Sequence, residues 1–324
     1  MQQIATSTTL DLGPELQAID EHIQQKLGVH TSLITLAGGY LLSSGGKRMR
    51  SSLAVLAARL GPRYTLEGVT HAAAAVELIH AASLVHDDLI DDADTRRGRA
   101  TVHSKWGGNV ALMVGDYLFA MAAGEMALAP DARVIAIFAD AVQRICEAEL
   151  RPVLDVQPTD VAVDQYFAKI GGKTAVLFEA AAKAGIICGG GHERDVAALG
   201  AFGYDIGLAF QIIDDVLDFT GDEATLGKPA GHDLKEGTLT LPLIYAVAAG
   251  GSAVLYEAAH ADTPGDDLVA AAVAEVRRVG GPERAMQEAE ALIARAIRRL
   301  DQFKDGPVKQ AMIEVAEFTL HRVT

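Results

Sequence analysis

The order of apolar and polar residues along this chain has the period of α-helices almost throughout. The first apolar stripe follows Pro14, which suits a first helical turn, and consists of Leu16, Ile19, Ile23 and Leu27. Similar stripes predict helices at 52–60, 70–86, 108–128, 132–150, 174–187, 195–218, 239–248, 267–278, 283–303 and 307–321. The alternation typical of strands is absent. The pattern therefore predicts an all-α protein.

Glycine and proline separate these stripes, as at 61–62, 107–108 and 171–172. No low-complexity linker divides the chain into two halves. We therefore expect a single all-α domain over residues 1–324, with residues 1–12 flexible. Within it, the helices that carry the acidic clusters described below are expected to face a shared cavity.

Composition and charge exclude some classes of protein. Half of the 324 residues are hydrophobic, and 43 acidic residues against 28 basic ones give a formal charge of −15. Such a chain lacks the basic surface that binds nucleic acid non-specifically. Its first residues have no basic or strongly apolar leader, and no run of about 18 apolar residues is uninterrupted. We expect a cytoplasmic protein with no transmembrane segment and no nucleic-acid partner.

Two clusters of aspartate stand out, DDLIDDADTRRG at 87–98 and FQIIDDVLDFTGD at 210–222, and both contain D-D-x-x-D. Residues four apart share one face of a helix, so Asp87 points the same way as Asp91. The same holds for Asp214 and Asp218. Like charges at this spacing repel each other, and a divalent cation would offset the repulsion. Ligands that are all carboxylates favour Mg²⁺, which usually shares its coordination shell with substrate phosphates.

Solvated acidic surfaces are the other interpretation of such charge runs. Apolar segments at 77–86 and 209–213 lead into the two clusters. Each cluster is therefore expected at the end of a largely buried helix. That setting favours metal and phosphate chemistry over a polar surface.

Basic residues lie close to these acids in sequence. SSGGKRMR at 43–50 is a glycine turn followed by three cations, and arginines at 96, 97 and 99 follow the first acidic cluster. Lysine and arginine donate charge-assisted hydrogen bonds to phosphate oxygens. Arg96 and Arg97 also fit a helix C-terminus, where cations oppose the dipole and Gly98 supplies a left-handed cap. Both interpretations can hold together.

A second basic motif, GGKT at 171–174, resembles the end of a P-loop. Phe167 stands where the first glycine of a P-loop is required, and no strand is predicted before it. Lys173 is therefore not a P-loop lysine, although its charge still suits a phosphate.

Six separated motifs together resemble the trans-isoprenyl (polyprenyl) diphosphate synthases. They are GGKRMR at 45–50, ELIHAASLVHDDLIDDADTRRG at 77–98, GDYLFA at 115–120, GGKTAVLFEAA at 171–181, FQIIDDVLDFTGD at 210–222 and LGKPAGHDLKEGTLTLPLIYA at 226–246. The likeness covers residues 45–320 in the right order. It implies a single large helical bundle around a deep central cavity, and a homodimer that condenses isopentenyl diphosphate with an allylic diphosphate.

The resemblance also implies roles for individual residues. Three Mg²⁺ ions would be held by the outer aspartates of the two motifs, which are Asp87, Asp91, Asp214 and Asp218. Asp88 and Asp215 would support these ligands. The allylic diphosphate and its leaving group would contact Arg96, Lys173, Thr174, Gln211 and Lys228. The isopentenyl diphosphate pocket would contain Lys47, Arg50, His80 and Arg97.

Product length follows from the residues one turn before Asp87. Ala82 and Ser83 are small, whereas short-chain members of the family tend to place aromatic residues there. The resemblance thus implies a linear all-trans product longer than geranylgeranyl. The alternatives are a short-chain geranylgeranyl or farnesyl synthase and a partner-dependent subunit of a heteromeric synthase. A terpene cyclase or head-to-head synthase is disfavoured, because the isopentenyl diphosphate motifs are intact.

Two departures from the family pattern bear on the site. Pro152 stands where relatives carry an Asp or Gln that faces the metals, and proline is expected to end or kink the helix there. Asp155 or Glu149 are the substitutes at hand. Thr238 stands where many relatives have a second lysine, which leaves Lys235 as the nearest replacement.

Overall fold

A computed structural model describes residues 10–28, 33–43, 46–96, 98–221, 230–261 and 263–321. The described residues are mostly helical and contain almost no sheet, so the all-α prediction is confirmed. The helices are α1 (Gly13–Gly28), α2 (Leu33–Leu42), α3 (Met49–Arg59), α4 (Leu66–Ile90), α5 (Val102–Trp106), α6 (Gly108–Leu128), α7 (Arg133–Glu149), α8 (Thr159–Ile170), α9 (Val176–Cys188), α10 (Glu193–Thr220), α11 (His232–Lys235), α12 (Leu241–Ala248), α13 (Ala253–His260), α14 (Asp266–Arg278), α15 (Gly281–Arg299) and α16 (Pro307–Leu320).

Two elements depart from regular α-helix. A π-helical turn, Gly171–Ala175, joins α8 to α9. An antiparallel hairpin of two-residue strands, β1 (Thr95–Arg96) and β2 (Arg99–Ala100), follows α4. The sequence pattern missed this hairpin, because strands of two residues are too short to show alternation.

The chain divides into two compact units. Unit 1 consists of Met1–Val142, Leu177–Gly203 and Arg299–Val315, and unit 2 of Gln143–Val176, Tyr204–Arg298 and Ala316–Thr324. The single domain over residues 1–324 stays a prediction. Of the terminal segment expected to be flexible, residues 1–9 lie outside the described residues, whereas Leu12 is fully buried.

Helix α4 forms the centre of unit 1. It begins at Thr65, whose side-chain oxygen accepts a hydrogen bond from the Gly68 amide at 3.1 Å and so caps the first turn. Four consecutive alanines, 72–75, are fully buried along it, and such small side chains let α3 and α6 pack closely against α4. On α6, a Cβ at Gly115 would overlap the His86 ring, so only glycine permits this approach.

Unit 2 is built around the second half of α10 and the apolar helix α12. Ile212, Ile213 and Phe219 of α10 are fully buried, as is nearly all of α12 from Leu241 to Val247. The buried carboxylate of Asp205 accepts two hydrogen bonds from Arg295 of α15, at 3.0 and 2.7 Å. Bidentate pairs of this kind fix the relative position of two helices more strongly than single bonds do.

Three helices, α4, α6 and α10, are long and apolar enough to cross a membrane by length and composition alone. Within the most apolar part of each, 67%, 39% and 67% is buried inside the protein, respectively. The protein core thus accounts for the apolar composition of α4 and α10. The expectation that no segment spans a membrane stays a prediction.

Candidate metal and diphosphate site

The first acidic motif lies at the C-terminal end of α4 in unit 1. The helix ends at Ile90, and the backbone amide of Asp91 donates to the Asp87 carbonyl at 2.8 Å. Asp91 retains helical geometry (φ −80°, ψ 0°), so Asp87 and Asp91 are still related by one helical turn. Asp92 then takes a positive φ of 49° and turns the chain away. Asp87 is partly exposed and Asp91 is exposed, which makes both accessible from solvent.

The middle aspartate of this motif has a different environment. Asp88 is 3% exposed, and its Oδ1 accepts a hydrogen bond from Arg96 Nε at 2.6 Å. Burial raises the pKa of Asp88, and the neighbouring guanidinium of Arg96 opposes that shift. Asp88 therefore anchors Arg96 beside the motif, which is a supporting role.

The alternative interpretation, in which Arg96 belongs to a helix C-terminus capped by Gly98, is wrong. The helix has already ended at Ile90, and Arg96 pairs with Arg99 in the hairpin. Gly98 does have a positive φ, 73°, but it serves the turn of the hairpin. Arg97 lies outside the described residues.

The basic turn before α3 is fixed by its middle residue. Arg48 has a positive φ of 51° and forms ion pairs with Asp20 at 2.9 Å and with Glu77 of α4 at 3.0 Å. Glu77 also accepts a hydrogen bond from the Ser51 amide at 3.1 Å. These bonds hold the turn against α4 beside Glu77, and His80 lies one turn further along that helix.

The other cations of this turn keep partial exposure. Lys47, Arg50 and His80 are each half-buried. The Arg50 guanidinium lies over the ring of Phe178, 4.5 Å from its centroid. Stacking of this kind orients the guanidinium without neutralising its charge. The basic turn thus presents positive charge close to the face of α4 that carries His80.

In unit 2, a chain of hydrogen bonds supports the second acidic motif on α10. The Thr174 hydroxyl donates to Gln211 Oε1 at 2.8 Å, and Gln211 Nε2 donates to Asp215 Oδ1 at 2.9 Å. The hydroxyl of Tyr166 donates to the other oxygen, Asp215 Oδ2, at 2.6 Å. Both oxygens of Asp215 are thereby occupied by protein donors, which gives this residue a positioning role between Asp214 and Asp218.

Burial dominates the electrostatics of this cluster. Burial, together with the nearby charge of Asp233, raises the pKa of Asp215 well above its usual value, and the bonds from Tyr166 and Gln211 oppose the shift. Asp218 is 3% exposed and its Oδ2 accepts a hydrogen bond from the Asp233 amide at 3.2 Å. Asp214 keeps partial exposure. A divalent cation would relieve the repulsion among these carboxylates.

Lys173 lies in the π-helical turn and pairs with Glu149, the last residue of the helix that ends before Pro152. Helix α7 ends at Glu149, as expected before a proline, and Lys173 Nζ lies 2.9 Å from Glu149 Oε2. Asp155 pairs instead with His260 at 3.5 Å. Of the two substitutes considered for the missing ligand, Glu149 is the one that contacts a candidate site residue.

The glycines before Lys173 explain the π-helical turn. A Cβ at Gly171 would overlap the Tyr204 hydroxyl, and a Cβ at Gly172 would lie 2.6 Å from the Cβ of Ala148. The turn can therefore pack against α7 and α10 only with glycine at both places. Single π-helical turns inside helices often occur at functional sites, which accords with the position of Lys173 and Thr174 here.

Sequence reasoning missed three residues that the structure brings into this cluster: Tyr166, Lys169 and Asp233. Burial and the charge of Lys173 lower the pKa of Lys169. Lys169 lies four residues before Lys173 and so on the same helical face, a spacing from which the sequence could have predicted its place in the cluster. Tyr166 contacts a residue 49 positions away, which no local pattern indicates.

The two remaining lysines expected at the site are Lys228 and Lys235. Lys228 lies outside the described residues. Lys235 pairs with Asp266 at 2.5 Å, and both side chains are exposed, so this lysine is engaged at the surface.

Comparison with known proteins agrees with the motifs. The family model named polyprenyl synthetase matches residues 31–276. Heptaprenyl diphosphate synthase component 2 of Geobacillus stearothermophilus is 40% identical over 290 residues, which are 90% of this chain and 83% of that protein. Octaprenyl diphosphate synthase of Escherichia coli is 35% identical over 312 residues, 95% of this chain and 96% of the relative.

A solved structure shares the fold as well. It is a polyprenyl synthase from Caulobacter crescentus CB15 in complex with calcium and isoprenyl diphosphate, with a TM-score of 0.90 and 32% identity over 97% of this chain and 96% of that one. The chain belongs to the polyprenyl synthetase family and is a prenyltransferase that makes polyprenyl diphosphates.

Proposed function

We propose that this protein is a Mg²⁺-dependent synthase that condenses isopentenyl diphosphate with an allylic diphosphate into a linear all-trans polyprenyl diphosphate longer than geranylgeranyl. The observation that carries the proposal is the same arrangement in both D-D-x-x-D motifs. In each, the second aspartate is buried and held by protein donors, Asp88 by Arg96 and Asp215 by Tyr166 and Gln211. We assign the metal to Asp87, Asp91 and Asp214, which keep exposed surface, and to Asp218, which is buried one turn after Asp214 on α10.

The donor set fits Mg²⁺. Asp87, Asp91, Asp214 and Asp218 offer only carboxylate oxygens, the ligands of hard cations. The Caulobacter relative was solved with calcium, another hard divalent ion. We infer three Mg²⁺ ions, two at Asp87 and Asp91 and a third at Asp214 and Asp218. When bound, Mg²⁺ neutralises the diphosphate and stabilises the negative charge that develops on the leaving group.

The protein's own cations complete the binding of the allylic diphosphate. Arg96, Lys173 and Lys228 supply positive charge, and Thr174 and Gln211 supply polar groups whose orientation the hydrogen-bond chain to Asp215 fixes. Fixed donors stabilise developing charge without reorganising during the reaction. Since the attacking group is the double bond of isopentenyl diphosphate, the protein needs no nucleophile of its own.

Isopentenyl diphosphate is assigned to the basic turn. Lys47 and Arg50 flank the anchored Arg48, and His80 lies on the adjoining face of α4. Arg97 is the fourth residue of the proposed pocket. Arginine and lysine suit a second diphosphate because they donate several charge-assisted hydrogen bonds.

Assembly and location complete the proposal. We infer a homodimer in the cytoplasm, in which exposed apolar residues of α6 such as Leu112 (44%) and Met113 (49%) offer surface for a second copy. The second candidate is a partner-dependent subunit of a heteromeric synthase. It is favoured by the Geobacillus relative, which is named a component 2.

Purified protein alone, incubated with Mg²⁺, labelled isopentenyl diphosphate and each allylic primer in turn, is expected to form polyprenyl diphosphates longer than geranylgeranyl. Chromatography of the labelled products measures their length, and reactions with a chelator in place of Mg²⁺ serve as the control. If isopentenyl diphosphate is not consumed, the proposal is wrong. If a second polypeptide is required, the subunit function replaces the homomeric one.

Replacing Tyr166 with phenylalanine is expected to lower kcat about tenfold and to weaken the apparent Mg²⁺ affinity, with the KM for isopentenyl diphosphate unchanged. The variant leaves Asp215 without its shortest hydrogen bond, a loss of about 1–3 kcal/mol for a buried group. Steady-state kinetics across a Mg²⁺ series measure these constants. The matched control is Tyr256→Phe on α13, where the side chain is exposed. Equal effects of the two changes would refute the positioning role of Tyr166.

A further inference from the structure

Two histidines and a glutamate meet in unit 1, away from the first acidic motif. They come from three helices, His22 from α1, His71 from α4 and Glu125 from α6. Glu125 Oε2 lies 2.8 Å from His22 Nε2 and 2.7 Å from His71 Nδ1, and the three potential ligand atoms all lie within 4.8 Å of one another. Neither the family motifs nor the proposed reaction uses these residues.

The cluster combines a buried acid with accessible imidazoles. Glu125 is 3% exposed, whereas the side chains of His22 and His71 keep 23% and 22% of their surface. Burial alone would raise the pKa of Glu125, but the hydrogen bonds from His71 and His22 hold it below the usual value. The carboxylate is thus ionised inside the protein and contacts two imidazole nitrogens, and both imidazole rings are partly exposed to solvent.

We propose that His22, His71 and Glu125 form a binding site for a borderline transition-metal ion of the Zn²⁺ type. Two imidazoles and one carboxylate suit Zn²⁺ or Co²⁺ and do not suit Mg²⁺, which prefers oxygen alone. Three protein ligands leave a fourth position for water. The site is separate from the first acidic motif, because His71 precedes Asp87 by 16 residues on α4, about 24 Å along the helix axis.

Metal binding requires the three ligand atoms, now within 4.8 Å of one another, to take the spacing of a tetrahedral shell. Ligands at about 2.0–2.1 Å in a tetrahedral shell stand roughly 3.3 Å apart, so the two nitrogens must each move outward from Glu125 by about half an ångström. The ion would replace the protons that now link the three side chains. It would also tie α1, α4 and α6 together.

Lys26 is the group that opposes the ion. Its Nζ lies 3.6 Å from Glu125 Oε1, and its side chain is 46% exposed. An ammonium group so close repels a divalent cation, but a flexible exposed lysine can turn into solvent. Removal of this charge is therefore expected to tighten metal binding, so the proposal can be tested by a variant that binds the ion more tightly.

Metal-free full-length protein in excess Mg²⁺ is expected to bind one equivalent of Co²⁺, with absorption bands of a four- or five-coordinate nitrogen-containing site that Zn²⁺ abolishes. Excess Mg²⁺ keeps the carboxylate motifs occupied. His22→Gln and His71→Gln are expected to weaken binding by at least about tenfold, since even outer-shell changes cost about 10- to 100-fold. Lys26→Gln should tighten it. The control, His260→Gln at an exposed position on α13, should not change it.

Zn²⁺ is also expected to raise the thermal midpoint of the wild-type protein and of Lys26→Gln, because an ion that binds only the folded state stabilises it. X-ray absorption of the Zn²⁺-loaded wild-type protein tests the ligands without any variant and should show two imidazoles. A shell of oxygen alone, or Co²⁺ titrations identical in wild-type and histidine variants, would overturn the proposal. The cluster would then be a hydrogen-bonded link between helices and nothing more.

Discussion

Replacing Asp87 with asparagine is expected to lower kcat at least about 1,000-fold. The amide keeps the size of the side chain but removes the charge that we assign to two Mg²⁺ ions. A bound metal supplies several kcal/mol of charge stabilisation in the transition state, and about 4 kcal/mol corresponds to a factor of 1,000 in rate. The product-forming rate, measured at saturating substrates over a Mg²⁺ series, tests the expectation.

Asp94 provides a matched control within the same acidic cluster. It lies outside the D-D-x-x-D pattern in the segment between α4 and the hairpin, and its side chain is exposed. Asp94→Asn is expected to keep kcat within about twofold of the wild type, since surface changes seldom alter a fold. Equal losses in the two variants, or an Asp87→Asn enzyme within tenfold of the wild type, would show that Asp87 is not a metal ligand.

Replacing Ser83 with phenylalanine is expected to shorten the product to geranylgeranyl length or below. Ser83 lies one turn before Asp87 on α4, about 6 Å along the helix axis, and the growing chain is inferred to pass along this helix. The Ser83 side chain is partly exposed, and its hydroxyl donates to the His80 carbonyl at 2.9 Å. An aromatic ring there has room to block the path. Chromatography of labelled products measures the change.

Ala82 and Ser83 differ as places for this test. Ala82 has no exposed surface, so a phenylalanine at 82 would meet packed neighbours and cost about 1–3 kcal/mol of stability. Ser83→Ala, which removes only the hydroxyl, is the control and should leave the product length unchanged. If Ser83→Phe makes the wild-type product at a normal rate, the growing chain does not pass this residue.

The long helices were predictable from the sequence because they bury one face. The stripes at 108–128 and 267–278 match α6 and α14 to within one residue at each end. Helices α2, α8 and α13 were missed, since each spans only 8 to 12 residues. In addition, α2 is apolar along nearly its whole length, so no separate apolar stripe stands out. The break before Pro152 was predictable from the chemistry of proline alone.

The acidic motifs could also be found from the sequence, because spacing of four residues is a local property. Their supporting contacts could not. Arg96 reaches Asp88 only because α4 ends at Ile90 and the hairpin returns the chain. The bond from Tyr166 to Asp215 joins two helices 49 residues apart. Such contacts depend on tertiary packing, which buries Asp88 in the first motif and both Asp215 and Asp218 in the second.

One measurement tests most directly whether metal ions at both aspartate motifs bind the allylic diphosphate. Crystals of the protein grown with Mn²⁺, isopentenyl diphosphate and a non-ionising analogue of the allylic diphosphate would be examined by anomalous diffraction at the manganese edge. The account predicts Mn²⁺ within bonding distance of Asp87 and Asp91 and a further ion at Asp214, all touching the diphosphate of the analogue. Manganese at only one motif, or a diphosphate bound without metal, would contradict it.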